Sequence, residues 1–64
     1  LSKLFLGESV LVTDEEDDFY NRQGIVRDTD IFEGILHYIV QFENTQERHY
    51  TLGNIKPYYN EGVI

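Results

Sequence analysis

Leu36, Tyr38, Val40 and Phe42 recur at every second position, and His37, Ile39 and Gln41 fall between them. A period of two sends the first set to one face of a β-strand and the second set to the other. Residues 35–42 are therefore predicted as a strand, the clearest in the chain. Val10 and Val12 repeat the pattern on a smaller scale and predict a strand over residues 8–13. Strict alternation turns both valines inward and leaves Leu11 as a second-face core residue or a surface contact. Gly24 opens a further strand through Val26 and Arg27, reaching toward Thr29, with Asp28-Thr29-Asp30 able to start a short turn. Phe32-Glu33-Gly34 reads as a loop tip, where Gly34 is free to take positive φ. The polar run Glu43-Asn44-Thr45-Gln46 predicts a hairpin turn into a return strand over residues 48–52, with Tyr50 and Leu52 as core candidates. Residues 52–55 suit a single 3-10 turn. Residues 56–59 are expected to close the sheet. Pro57 has no amide hydrogen and belongs at an edge or a strand start. Residues 3–5 form a leader and residues 60–64 a tail. The one competing helical segment, residues 15–23, lacks an apolar stripe.

Taken together, Gly7-x-x-Val10-x-Val12, Gly24-x-Val26, Tyr38-x-Val40-x-Phe42 and Tyr50-x-Leu52 up to Ile55 resemble an SH3-like barrel, specifically the small bacterial and phage barrels of the KOW type. The resemblance spans about residues 6–59. It implies an all-β fold: a small closed barrel of about five antiparallel strands, with a short 3-10 turn before the last. It also implies one domain over residues 1–64. Similar barrels serve as ribosomal, transcription-factor and accessory modules. Two departures stand against a nucleic-acid role. An acidic run occupies a loop that is shorter or more basic in nucleic-acid-binding relatives, and the gap between Gly7 and Gly24 stretches the first loop. The closely spaced aromatic pair and the tryptophan that bind proline-rich peptides in true SH3 domains are missing.

Charge sharpens the picture. Twelve acidic side chains face five basic ones, for a net charge of −7 over 64 residues. Such a field repels phosphate backbones, favours basic partners and keeps a chain in solution. Asp14, Glu15, Glu16, Asp17 and Asp18 are consecutive, and their mutual repulsion favours an extended, solvated loop. Phe19 and Tyr20 follow directly. Two adjacent loop residues do not both fit a small core, so at least one is expected on the surface; Phe19 alternatively anchors the loop. The same holds for Tyr58 and Tyr59. A surface tyrosine offers rigid contact area with a polar tip. Asp14 to Asp18 with Phe19, Tyr20, Tyr58 and Tyr59 are thus the expected interaction surface.

Other chemistry is thinly represented. The carboxylate run lacks the alternating ligands and central glycine of a calcium loop. His37 and His49 approach each other if the last hairpin forms as expected, but two imidazoles fall short of a zinc site. No serine is set beside a base, and a barrel of this size has little room for a cleft that splits carboxylate pKa values. No catalytic residue, metal or cofactor is expected. Arg48, His49 and Tyr50 are the nearest approach to a nucleic-acid contact set. With no cysteine, a disulfide and a thiolate metal site are excluded, and a cytoplasmic setting fits. No apolar stretch approaches a membrane span, and the start at Leu1 reads as a trimmed chain or fragment. The expected function is a non-enzymatic, acidic interaction or accessory module that docks on a larger, partly basic protein or forms an oligomer. The alternatives are a nucleic-acid-associated KOW-like module, an acidic decoy of nucleic acid, and a purely structural domain of a longer polypeptide.

Overall fold

A computed structural model describes residues 3–59; the tail expected over residues 60–64 lies outside them. Five strands follow in order: β1 Ser9–Val12, β2 Gln23–Phe32, β3 Ile35–Phe42, β4 Glu47–Tyr50 and β5 Ile55–Pro57. A 3-10 turn, Leu52–Asn54, separates β4 from β5. All pairings are antiparallel, and the strands lie in the order β4-β3-β2-β1-β5 within one sheet.

The sheet does not close, which corrects the expectation of an SH3-like barrel. A barrel needs a ladder between its outermost strands. Among the described residues β4 and β5 are the two edges, each paired on one side only. The physical reason lies in the last segment. β5 has three residues, one of them Pro57, and all three pair with β1. Expected to close the sheet, this segment instead ends it, and Pro57 sits on the edge strand where its missing donor does least harm.

One face of the open sheet carries the core. Val10, Val12, Val26, Tyr38, Val40, Phe42, Tyr50 and Ile55 are buried there. Leu4 from the leader and Phe19 from the β1–β2 loop join the same cluster. Leu4 is held in place as its amide donates to the Tyr38 hydroxyl at 3.3 Å. Gly24 is required by this packing: a Cβ there would lie 2.5 Å from Val40 Cγ1. Leu52, expected in the core, is exposed, because the chain turns into the 3-10 segment at that residue.

The longest strand, β2, runs through the segment where the sequence suggested a turn. Strict alternation from Gly24 and Val26 would carry Asp28 and Asp30 onto the core face. A β-bulge prevents this. The register with β3 shifts between Val26 and Asp28, leaving Arg27 as the extra residue. Beyond it Asp28 pairs with Ile39 and Asp30 with His37 on the outer face, while Thr29 and Ile31 oppose Tyr38 and Leu36 on the core face. One inserted residue re-phases the alternation and keeps two carboxylates out of the core. The strand then turns through Glu33 and Gly34, with φ of 52° and 80°. Positive φ at both central residues identifies a type I′ hairpin turn.

Candidate functional site

Two segments stand out from this scaffold: the acidic loop between β1 and β2, and the distal half of the β2–β3 hairpin.

The acidic loop is tightly built. Its neck is closed by two backbone hydrogen bonds, Asn21 N–H to Val12 O at 2.9 Å and Val12 N–H to Arg22 O at 3.1 Å. Within it, Asp17 N–H donates to Asp14 O and Tyr20 N–H to Asp17 O. Asp14 Oδ1 accepts from the Glu16 amide at 3.0 Å. Asp17 turns inward. Its Oδ1 accepts from the Phe19 amide at 2.7 Å and from the Tyr50 hydroxyl at 3.1 Å, and its Oδ2 lies 4.0 Å from the Arg48 guanidinium. Burial, reinforced by the hydrogen bond to Asp17, pushes the Tyr50 phenol up to about 12. Phe19 is only 7 % exposed and packs on Phe42 with ring centroids 4.4 Å apart. The guanidinium groups of Arg22 and Arg48 lie over its ring at 5.0 and 4.9 Å, within cation–π range.

These contacts sort the expected interaction surface. Glu15, Glu16, Asp18 and Tyr20 point to solvent, whereas Asp14 and Asp17 are half-buried. Phe19 belongs to the core and is withdrawn from the surface set; it is the loop's anchor. Tyr58 and Tyr59 are exposed, but they sit beside the other end of β1. The Tyr58 amide donates to Ser9 O, and the Tyr59 hydroxyl donates to Glu8 at 2.7 Å, which raises the Tyr59 pKa. The acidic loop leaves from Val12, so the two tyrosine groups are not gathered into one patch. The trio Arg48, His49 and Tyr50 is also divided. Consecutive strand residues alternate in face: Arg48 and Tyr50 turn toward Asp17 and the core, and His49 turns to the outer face. A joint nucleic-acid contact by the three is therefore not formed.

The hairpin arm was not singled out by the sequence reading as a contact surface. Its base is flanked by β1 and β4, whose ladders reach only Ile25 and Tyr38; Gly7 and Glu8 extend the β1 side to Val26. Beyond that base, among the described residues, the two strands pair only with each other. At the tip Ile31, Phe32 and Ile35 are 69 %, 62 % and 55 % exposed. The signal available in the sequence was the apolar pair Phe32 and Ile35 on either side of Glu33-Gly34.

The free edge of β2 is managed locally. The Thr29 amide donates to Asp28 Oδ1 at 2.8 Å and the Ile31 amide to Asp30 Oδ1 at 2.9 Å. Each aspartate occupies an outward N–H that another strand would otherwise use. Charged, self-satisfied edges of this kind oppose strand addition. The arm is thus equipped for contact through its faces.

Among the described residues, concave regions on the sheet include two of note. One, of about 720 Å³, is lined by Arg22, Arg27, Gln41 and Glu43 among others; groups of both signs there single out no ligand class. The other, of about 350 Å³, lies on the outer face of the arm between Asp30, Phe32, His37 and His49. Both histidines line this depression on the outer face. Phe32 and His37 face each other edge-on, with centroids 6.1 Å apart and planes at 84°. Among the described residues no group of three or more histidines and carboxylates is placed to hold a metal ion, and no helix is long and apolar enough to cross a membrane.

In comparison with known proteins, no family model matches this chain. No curated protein aligns with it significantly. With the open sheet, this withdraws the assignment to KOW-type barrels of bacterial or phage origin.

Proposed function

We propose that this protein is a non-enzymatic interaction module that docks on a larger protein with a basic surface. The observation that supports this reading is the hairpin arm, where three large apolar side chains are more than half exposed at one tip. Fully burying one such side chain contributes roughly 1.5–3 kcal/mol. Apolar groups grouped beyond the end of the core and rimmed by polar ones mark contact surfaces. The rim is acidic: Asp28, Asp30 and Glu33 lie exposed on the arm itself. With a net charge of −7, this favours association with a cationic protein and disfavours pairing of two arms of the same chain. A cytoplasmic setting is part of the reading, in keeping with a chain free of cysteine.

The test compares retention from native cell extract by the wild-type chain and by a Phe32→Ser, Ile35→Ser variant, with retained proteins identified by mass spectrometry. Basic proteins should be held by the wild type, released by salt as exposed charges are screened, and missing from the variant. The same proteins held equally by a variant with an unchanged circular dichroism spectrum would overturn the reading.

A further inference from the structure

We infer that the depression between Asp30, Phe32, His37 and His49 receives a single basic side chain of that partner, arginine before lysine. The inference rests on the basic-partner reading and names the point of contact. Its volume, about 350 Å³, is at the low end for small-molecule sites and suits one side chain. The register builds it from three strands. Asp30 on β2 sits opposite His37 on β3, and Phe32 lies two residues further along the same face of β2. His49 on β4 sits opposite Ile39, the next residue of β3 on that face.

The lining is three aromatic rings and one carboxylate. Aromatic faces accept the stem and the cation of a basic side chain together. Phe32 is more than half exposed and supported edge-on by His37, so its ring is offered to solvent on a fixed backing. Asp30 uses Oδ1 to accept from the Ile31 amide. That bond positions the carboxylate, and its remaining lone pairs can take a charge-assisted hydrogen bond. A planar guanidinium can stack on a ring and bond a carboxylate at once, whereas an ammonium acts as a point charge. Neighbouring Asp28 lies on the same face and adds to the attraction. Lysine and arginine are absent from the lining itself.

The test uses amide chemical-shift mapping by NMR at about pH 8, above the ordinary imidazole range. The probes are a blocked Val-Arg-Val-Arg-Val peptide and its citrulline counterpart, which keeps the shape and removes the charge. Asp30→Asn is the variant of choice, because asparagine Oδ1 still accepts from the Ile31 amide. The arginine peptide should shift the amides of residues 30, 32, 37 and 49, with affinity reduced about fivefold by citrulline and about fivefold by Asp30→Asn, the scale of one exposed charge pair. Equal shifts with both peptides would overturn the inference in favour of plain apolar contact. Shifts confined to residues 15, 16, 18 and 20 would overturn it and leave the basic-partner reading standing. No shift anywhere with the arginine peptide would overturn both.

Discussion

Residues 13–20 and residues 27–37 each set carboxylates beside a phenylalanine, yet Phe19 lies in the core and Phe32 lies in solvent. Side-chain chemistry does not explain the difference. Position along the sheet does. The loop has a neck closed by the β1–β2 ladder, and its Asp17 is held by the Phe19 amide and the Tyr50 hydroxyl. Phe19 is thereby carried over the apolar face and onto Phe42. The arm leaves that face behind. Even Ile31, which the bulge returns to the core side, is exposed, because the core ends at Leu36 and Tyr38. In a sheet this small, whether an aromatic is buried depends on how far the covered face extends. The carboxylates divide in the same way: Asp17 ties the loop to the core, and Asp28 and Asp30 cap the edge of their own strand.

The largest expected effect tests this division directly. Phe19→Ala should cost about 3–5 kcal/mol, the usual range for removing a buried aromatic. A domain of this length has roughly 3–5 kcal/mol in total, so the variant should be largely unfolded. Phe32→Ser should stay within about 0.5 kcal/mol of wild type, as exposed substitutions do. Urea denaturation followed by circular dichroism measures both. Similar losses for the two would break the comparison and mean that the arm tip is packed.

The second pair sets Asp17 against Asp30. Asp17→Ala leaves the Phe19 amide and the Tyr50 hydroxyl without their acceptor. A loss of about 2 kcal/mol follows from two part-buried hydrogen bonds. Asp30→Ala frees only the Ile31 amide, which water can reach at the open edge, and less than about 0.5 kcal/mol is expected. Alkaline titration sharpens the contrast. The folded Tyr50 phenol is raised from 10.0 to about 12, so the fold favours its neutral form. Its contribution is fully present below the unfolded value of 10.0 and is lost as pH rises through about 12. Wild type and Asp30→Ala should both show this alkaline loss. Asp17→Ala should show less of it, since burial alone then holds the phenol up. An alkaline limb unchanged by Asp17→Ala would remove that aspartate from the account.

The strand content was largely legible in the sequence, and the shape was not. Strand β3 has the bounds that Leu36, Tyr38, Val40 and Phe42 announce, because its period is a local property. Val10 and Val12, the positive φ of Gly34, the edge position of Pro57 and the 3-10 turn are local in the same sense. The open edges depend on a ladder between residues far apart in sequence, and no local pattern reports its absence. The Arg27 bulge is equally hidden. Asp28 and Asp30 signalled that plain alternation fails after Val26, and a turn and a bulge are both answers to that signal. For the candidate site, the acidic loop was visible as a charge run, but which of Phe19 and Tyr20 turns inward is decided by Asp17 and Phe42. Arg48, His49 and Tyr50 could have been separated by alternation alone. The depression on the arm joins residues of three strands, so it exists only once the register is known.

The smallest expected effect concerns whether the arm belongs to the same cooperative unit as the loop. Glu33 occupies the first central position of the type I′ turn with φ of 52°. A β-carbon in the left-handed region costs about 1–2 kcal/mol for most residues, and asparagine tolerates it best among them. Asn-Gly is also the favoured pair for this turn. Glu33→Asn should therefore stabilise the turn by about 0.5–1 kcal/mol. Past its base only Leu36 joins the arm to the core cluster, which makes local opening easier than global unfolding. Hydrogen exchange at the arm's paired amides should slow by roughly two- to fivefold, as that stabilisation implies, while the urea midpoint barely moves. A midpoint shift carrying the whole gain would show instead that the arm melts together with β1 and the anchored loop. The exposed apolar tip would then be held out rigidly by the full stability of the fold, and the difference between the two regions would be one of burial alone.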